Sequence, residues 1–294
     1  MAGNTFPDPF IVPPTSKHTH TAILLHGLGS DGETFGRELL RSGTTSNGRG
    51  LADSFPGMKF IFPTARRRRS SAFKRATVNQ WFDVASLDDP SKRRDLQIDG
   101  LTESSNYVWS ILKREADAIL PHHVVLGGLS QGCAMAVFML LSLDFPIGGF
   151  VGLSGWLPFR YDIIELIGSG AADPVFGEDG DDGGKGESPA PIQAVNLVRD
   201  ILSKDDIDTE KLNHAGENLG LATPVFLGHG AKDPKIKCSL GKEAADTLQM
   251  LGMEITWRCY PELGHWYKIP EEIDDIVEYL TGKLTIQRSS PHAV

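Results

Sequence analysis

Cysteine is scarce in this chain, with three residues in 294, and Cys133, Cys238 and Cys259 lie far apart in apolar stretches. An odd, scattered set excludes a disulfide framework and a thiolate metal site, and predicts reduced core cysteines of an intracellular protein. The N-terminus has no basic segment followed by an apolar run, and no stretch approaches the ~20 apolar residues needed to cross a bilayer. Neither a Met-Gly lipidation start nor a C-terminal prenylation box is present. The expectation is a cytoplasmic protein without a stable membrane anchor, touching membranes only transiently. Positive charge is also short, 29 Lys and Arg against 38 Asp and Glu for a net charge of -9, which argues against a general nucleic-acid binder. His122-His123 comes without an accompanying ligand set, so no metal is expected.

Glycine and apolar residues are plentiful, 32 glycines and 40% hydrophobic, enough for one large α/β domain or two small ones. Residues 1–18 are Pro-rich and polar apart from Phe10-Ile-Val, a lead-in suited to pairing at a sheet edge. From residue 19 to 294 short apolar runs alternate with helical periodicity, without a repeat or a linker long enough to part domains. The run Thr21–His26 is continuous and apolar, suited to a sheet buried on both faces, and further strands are read at Met58–Phe62, Val124–Leu129, Gly149–Leu153, Pro224–Gly228 and Glu254–Tyr260. Helices are predicted around Glu33–Leu40, Leu101–Leu120, Ile192–Ser203, Ser239–Gly252 and Pro270–Leu280. The pattern predicts a single α/β domain, a mostly parallel central sheet with helices on both faces and no large lid. At about 168–191 the composition turns to Gly, Asp and Glu, which predicts a flexible acidic insertion.

The most informative stretch is Val124-Val-Leu-Gly-Gly-Leu-Ser130-Gln-Gly132, an apolar run that ends in Gly-x-Ser-x-Gly and passes at once into small residues at helical spacing. A sharp strand-to-helix turn holds a serine out at the carboxyl edge of the sheet. Its hydroxyl is a poor nucleophile unaided and needs a base and an orienting acid, which this arrangement takes in the order Ser, acid, His. Asp233 follows the strand ending at Gly228, and His265 follows the strand ending at Tyr260. Carboxyl ends of parallel strands share one edge, so Ser130, Asp233 and His265 are the candidate triad. As oxyanion donors the candidates are the backbone N–H groups of Gln131, after the serine, and of Leu28, in the glycine loop after the first strand.

Competing residues are worse placed. Asp233 could be only a turn residue before Pro234, but Asp173 and Asp205 lie in or near the flexible region. Among histidines, His26 and His229 end strands but precede glycines in tight loops and are expected to bond the backbone, while His122, His123 and His214 lie elsewhere. Trp81, Trp156 and Trp266 are candidate pocket residues, with core packing as the alternative, and the loop positions of Trp156 and Trp266 favour the pocket for those two. The basic stretch Arg66–Arg75 reads as a solvated loop face rather than an anion-docking site.

Taken together, Leu25-His-Gly-Leu-Gly-Ser-Asp-Gly32, Phe62-Pro-Thr-Ala65, Trp81-Phe-Asp83, Gly127–Gly132, Leu153-Ser-Gly-Trp-Leu-Pro158, His229-Gly-Ala-Lys-Asp233 and Gly264-His-Trp266 resemble the acyl-protein thioesterase family, within the phospholipase/carboxylesterase group of α/β-hydrolases. The resemblance runs from about residue 20 to 283. It implies a serine hydrolase without metal or organic cofactor, with Ser130, Asp233 and His265 as triad and the N–H groups of Leu28 and Gln131 as oxyanion hole. Implied substrates are S-acylated proteins, lysophospholipids or small carboxyl esters. Two departures stand out: the Arg66–Arg75 stretch where close thioesterases carry a Pro-rich segment, and the length of the acidic insertion. The alternatives are a small-molecule carboxylesterase or lysophospholipase, and a binding protein of the same fold that has lost catalysis.

Overall fold

The protein is represented by a computed structural model, which describes residues 5–169, 188–207 and 219–284. Its centre is a seven-stranded sheet built from β1 (Phe10–Val12), β2 (His20–Leu25), β3 (Met58–Phe62), β6 (Val124–Leu129), β7 (Gly149–Leu153), β8 (Val225–Gly230) and β9 (Ile255–Tyr260), in the order β1-β3-β2-β6-β7-β8-β9. All neighbours are parallel except β1, which pairs antiparallel to β3 with Phe10 opposite Phe62 and takes the sheet edge expected of the apolar triplet in the lead-in.

Strand residues alternate between two cores, as a period of two requires. Ile23, Leu25, Leu126 and Phe150 face one core, and Ala22, Leu24, Val125 and Val151 the other. The first core is covered by α3 (Ile98–Ile119), α4 (Gln131–Leu141), α6 (Ala190–Ile201) and α7 (Cys238–Met250). The second is covered by α1 (Gly32–Ser42), α2 (Leu51–Ser54) and α8 (Glu271–Lys283). Every residue of α4 is buried, so its sequence shows almost no polar face.

Several expectations need correction. The basic stretch is not a plain loop: β4 (Arg67–Arg69) and β5 (Thr77–Asn79) form a hairpin, Arg67 opposite Asn79. Two of its guanidinium groups are largely covered, because Arg66 and Arg68 both reach the Glu103 carboxylate of α3, at 2.5 and 2.7 Å. A helix α5 (Arg160–Ser169) follows β7 and packs on α6 and α7; it extends into the start of the expected acidic insertion, and α6 takes up its end. Residues 170–187 of that insertion lie outside the described residues, as do Asp173 and His214.

The cysteines also divide. Cys133 is a core residue, its thiol pushed up to about 12 by burial. Cys238 is half-buried at the start of α7, and Cys259 is exposed on the edge strand β9. Distant in sequence, their sulfurs are 3.4 Å apart, because α7 packs over β9.

Candidate active site

Ser130 sits between β6 and α4 with φ 57° and ψ -121°, a conformation L-residues rarely adopt. The turn is held by the Ser130 N–H donating to Leu153 O at 2.8 Å, and by Ala134 N–H donating to Ser130 O at 3.0 Å. It requires two glycines. A methyl group at Gly132 would run into Leu25 O and His26 O, and one at Gly128 into Leu25 O and the Gly132 backbone. β2, β6 and α4 thus meet at backbone contact, and the strained serine is the outcome.

His265 and Asp233 come to this corner as strand order requires. His265 Nε2 is 2.9 Å from Ser130 Oγ, and its Nδ1 is 2.7 Å from Asp233 Oδ2. The Asp233 side chain is wholly buried. Burial alone would raise its carboxyl. Hydrogen bonds from His229 and His265 and from the N–H groups of Ile236 and Lys235 outweigh it and hold the group well below the usual carboxylate range. The two N–H groups reach Oδ1 at 2.9 and 2.8 Å, the N–H of Lys235 being the nearer. A charged acid so fixed selects the tautomer that carries hydrogen on His265 Nδ1 and leaves Nε2 to accept the serine proton.

His229, expected to bond the backbone, does so, with Nε2 2.9 Å from Ile236 O. It also lies 3.3 Å from Asp233 Oδ2, a role that sequence reasoning missed, since nothing in spacing shows that the strand end curls back over the acid. His26 likewise bonds backbone. Its Nε2 accepts from the Ala65 N–H at 3.0 Å, which leaves Nδ1 as donor to Gly27 O at 2.7 Å. Burial pushes its imidazole down to about 4, so it is neutral at ordinary pH.

The two oxyanion candidates flank the serine. Gln131 opens α4, and the first N–H groups of a helix have no carbonyl one turn back. Its side chain clamps the neighbouring loop, Oε1 accepting from the Trp81 N–H at 3.0 Å and Nε2 donating to Phe82 O at 2.8 Å. Leu28 lies in a loop braced by β5: the Gly29 N–H donates to Asn79 O and Asn79 Nδ2 donates to Ser30 O, each at 2.8 Å. Gly29 takes φ 83°, which lets the loop turn over the serine.

A cavity of about 390 Å³ opens above Ser130 and His265. Its walls are mainly apolar, with Leu28, Phe35, Phe73, Leu129, Ile236 and Trp266 among them. Of the candidate pocket residues Trp81, Trp156 and Trp266, only Trp266 lines it, at 39% exposure. Trp81 is fully buried, its indole N–H donating to His26 O at 2.8 Å beneath the glycine loop. Trp156 is buried edge-on against Phe82. Both indoles turn down into the core on leaving the sheet edge instead of up into the cavity. Phe73, unremarkable in sequence amid basic residues, enters the wall because the β4–β5 hairpin folds toward the site. Among the described residues, no cluster of three or more His, Cys, Asp or Glu is arranged to hold a metal ion.

Comparison with known proteins agrees with this geometry. Residues 6–168 match the family model for phospholipase/carboxylesterase. The chain is 29% identical over 279 residues to acyl-protein thioesterase 1 of Gibberella zeae, covering 94% of this chain and 95% of that one. It is 26% identical over 279 residues to acyl-protein thioesterase 1 of Neurospora crassa, covering 94% and 91%. The crystal structure of acyl-protein thioesterase 2 from Zea mays superposes with a TM-score of 0.63 at 24% identity, over 94% of this chain and 98% of that one. A family match across more than half of the chain, on a parallel sheet with a serine at its elbow, makes this protein a member of the phospholipase/carboxylesterase family, a serine hydrolase of the α/β-hydrolase fold.

Proposed function

We propose that the protein is an acyl-protein thioesterase, removing long acyl groups from cysteine side chains through an acyl-enzyme on Ser130. One observation carries this reading: the hydrogen-bonded chain Ser130–His265–Asp233 lies at the foot of an apolar cavity of about 390 Å³. In this mechanism His265 takes the Ser130 proton as Oγ attacks the acyl carbonyl, then passes it to the leaving thiol. Asp233 stays ionised and stabilises the imidazolium. The N–H groups of Leu28 and Gln131 receive the oxyanion, and losing one such donor typically costs about 10²–10³ in turnover. Water, deprotonated by His265, then releases the fatty acid.

The apolar wall from Phe35 to Trp266 suits an acyl chain, and the names borne by the fungal relatives support a lipidated protein as its source. On this reading residues 19–294 act as one domain in the cytoplasm, visiting membranes transiently. No helix among the described residues is long and apolar enough to cross a membrane.

The test is a rate comparison of wild type and Ser130→Ala on matched short and long oxygen esters and thioesters, on a lysophospholipid, and on a palmitoylated peptide. A Ser130-dependent preference for the long thioester and the peptide is expected. A preference for short oxygen esters would replace this reading by a small-molecule carboxylesterase, and one for lysophospholipid by a lysophospholipase. No turnover on any of them, with no labelling of Ser130 by a fluorophosphonate, would leave a binding protein.

A further inference from the structure

Cys238 and Cys259 lie outside the reaction just described, yet each stands at the root of a loop that carries part of it. Cys238 opens α7, two residues after Ile236, whose N–H holds the Asp233 carboxylate. Cys259 is on β9, directly opposite His229 of β8 and six residues before His265. Their sulfurs approach to 3.4 Å, though 21 residues separate them along the chain. Neither thiol packs into the core as Cys133 does: Cys259 is exposed and Cys238 half-buried.

We infer that Cys238 and Cys259 are a reversible oxidation site, closing to a disulfide that ties the loop of the catalytic acid to the strand leading to the catalytic histidine. The oxidant is a peroxide, and it enters at the exposed sulfur. The Cys259 thiolate attacks the O–O bond, which breaks to leave Cys259 as a sulfenic acid and the other oxygen as water or an alcohol. The Cys238 sulfur then displaces hydroxide from the sulfenic sulfur, and its thiol proton joins that hydroxide as a second water. Two thiols are oxidised by two electrons in all, and the peroxide is reduced by the same two.

The order follows from the surroundings. Burial, the neighbouring Cys259 and the charge of Asp233 push the Cys238 thiol up to about 12, so it is a poor first nucleophile. As the resolving partner it acts after its neighbour has become electrophilic, and it is already in place. The non-bonded sulfur contact of 3.4 Å must contract to a bond of about 2.05 Å, which draws α7 and β9 together by roughly an ångström. That shift is delivered next to the Lys235 and Ile236 N–H groups that fix Asp233, where displacements of about 1 Å lower turnover. Oxidation therefore slows the enzyme, and a dithiol restores it.

The experiment treats the purified full chain with hydrogen peroxide, then maps peptides by mass with and without reductant, alongside Cys238→Ser and Cys259→Ser. The expected product is an intramolecular 238–259 link, lighter by two hydrogens, absent from both variants and reversed by dithiothreitol. Turnover of a fluorogenic ester is expected to fall by about threefold or more in wild type and to recover on reduction, with neither variant responding. Three results overturn the inference: both thiols stay titratable, Cys259 goes on to sulfinic acid without the link, or Cys259→Ser loses activity as wild type does. The mass readout needs no substrate, so its failure is distinct from failure of the thioesterase reading.

Discussion

His229 Nε2 lies 3.3 Å from the same Asp233 oxygen that stands 2.7 Å from His265 Nδ1, so one carboxylate oxygen faces two imidazoles. The second imidazole comes from β8 itself, and by bonding Ile236 O as well it spans the turn that carries the acid. Asp233 is held as an anion from both sides of that turn.

His229→Leu is accordingly expected to weaken the triad without touching substrate. A hydrogen bond to a charged group contributes about 1.5–3 kcal/mol, corresponding to a loss of roughly tenfold to a hundredfold in turnover. Steady-state kinetics on a soluble ester, with KM little changed, would show it. Wild-type turnover would mean that the Lys235 and Ile236 N–H groups hold Asp233 sufficiently.

Asn79 braces the glycine loop through its side-chain bond to Ser30 O, while its carbonyl separately accepts from Gly29. Asn79→Ala removes only the first. With about 0.5–1.5 kcal/mol at stake, turnover should drop by roughly two- to tenfold at constant KM, since in the proposed mechanism the loop presents the Leu28 N–H to a charge that develops only in the transition state. A change confined to KM would place the loop in ground-state binding instead.

Trp266 and Trp156 are expected to fail in opposite ways. Trp266→Ala strips an exposed wall of the cavity and should raise KM for long-chain esters with little change in unfolding free energy. Trp156→Ala leaves a void against Phe82 and should lower stability by about 3–5 kcal/mol in denaturant titration. Equal effects of the two on KM would restore Trp156 to the pocket.

Glu272 makes stability fall as pH rises from the acid side through about 8. It is buried against Gly228, with Oε2 accepting the Lys268 N–H at 2.7 Å and Oε1 unpartnered among the described residues. Burial, helped by nearby Asp275 and opposed by the Lys268 N–H, pushes its carboxyl up to about 8. The folded protein then keeps a proton that the unfolded chain gives up at the ordinary 4.5, so this group's stabilisation is full below that pH and is lost as pH rises through about 8. Glu272→Gln, which preserves the acceptor, should remove a decline on the order of a few kcal/mol between about pH 5 and pH 9. Identical slopes for wild type and variant would show that Glu272 ionises normally.

Oxidation of the Cys238–Cys259 pair adds a covalent tie around α7, and the oxidised protein should also unfold at a higher temperature than the reduced one. Cross-links closing loops of this size typically add about 2–4 kcal/mol. Calorimetry before and after dithiothreitol, with Cys259→Ser as the unresponsive comparison, measures it.

What could be read directly from the chain is what local chemistry decides. The continuous apolar run of β2 marks a strand covered on both faces, Gly128 and Gly132 mark a backbone crossing, and strand order brings Ser130, Asp233 and His265 to one edge. Each follows from composition within a few residues and from the rule that parallel strands share a carboxyl end. Tertiary structure alone decided where side chains point once they leave that edge. Trp81 and Trp156 turn inward while Trp266 and Phe73 face the cavity, Arg66 and Arg68 converge on Glu103, and Cys238 meets Cys259. These outcomes depend on contacts between segments distant in sequence, whose packing is set by the shape of the whole core and leaves no periodic trace in either segment.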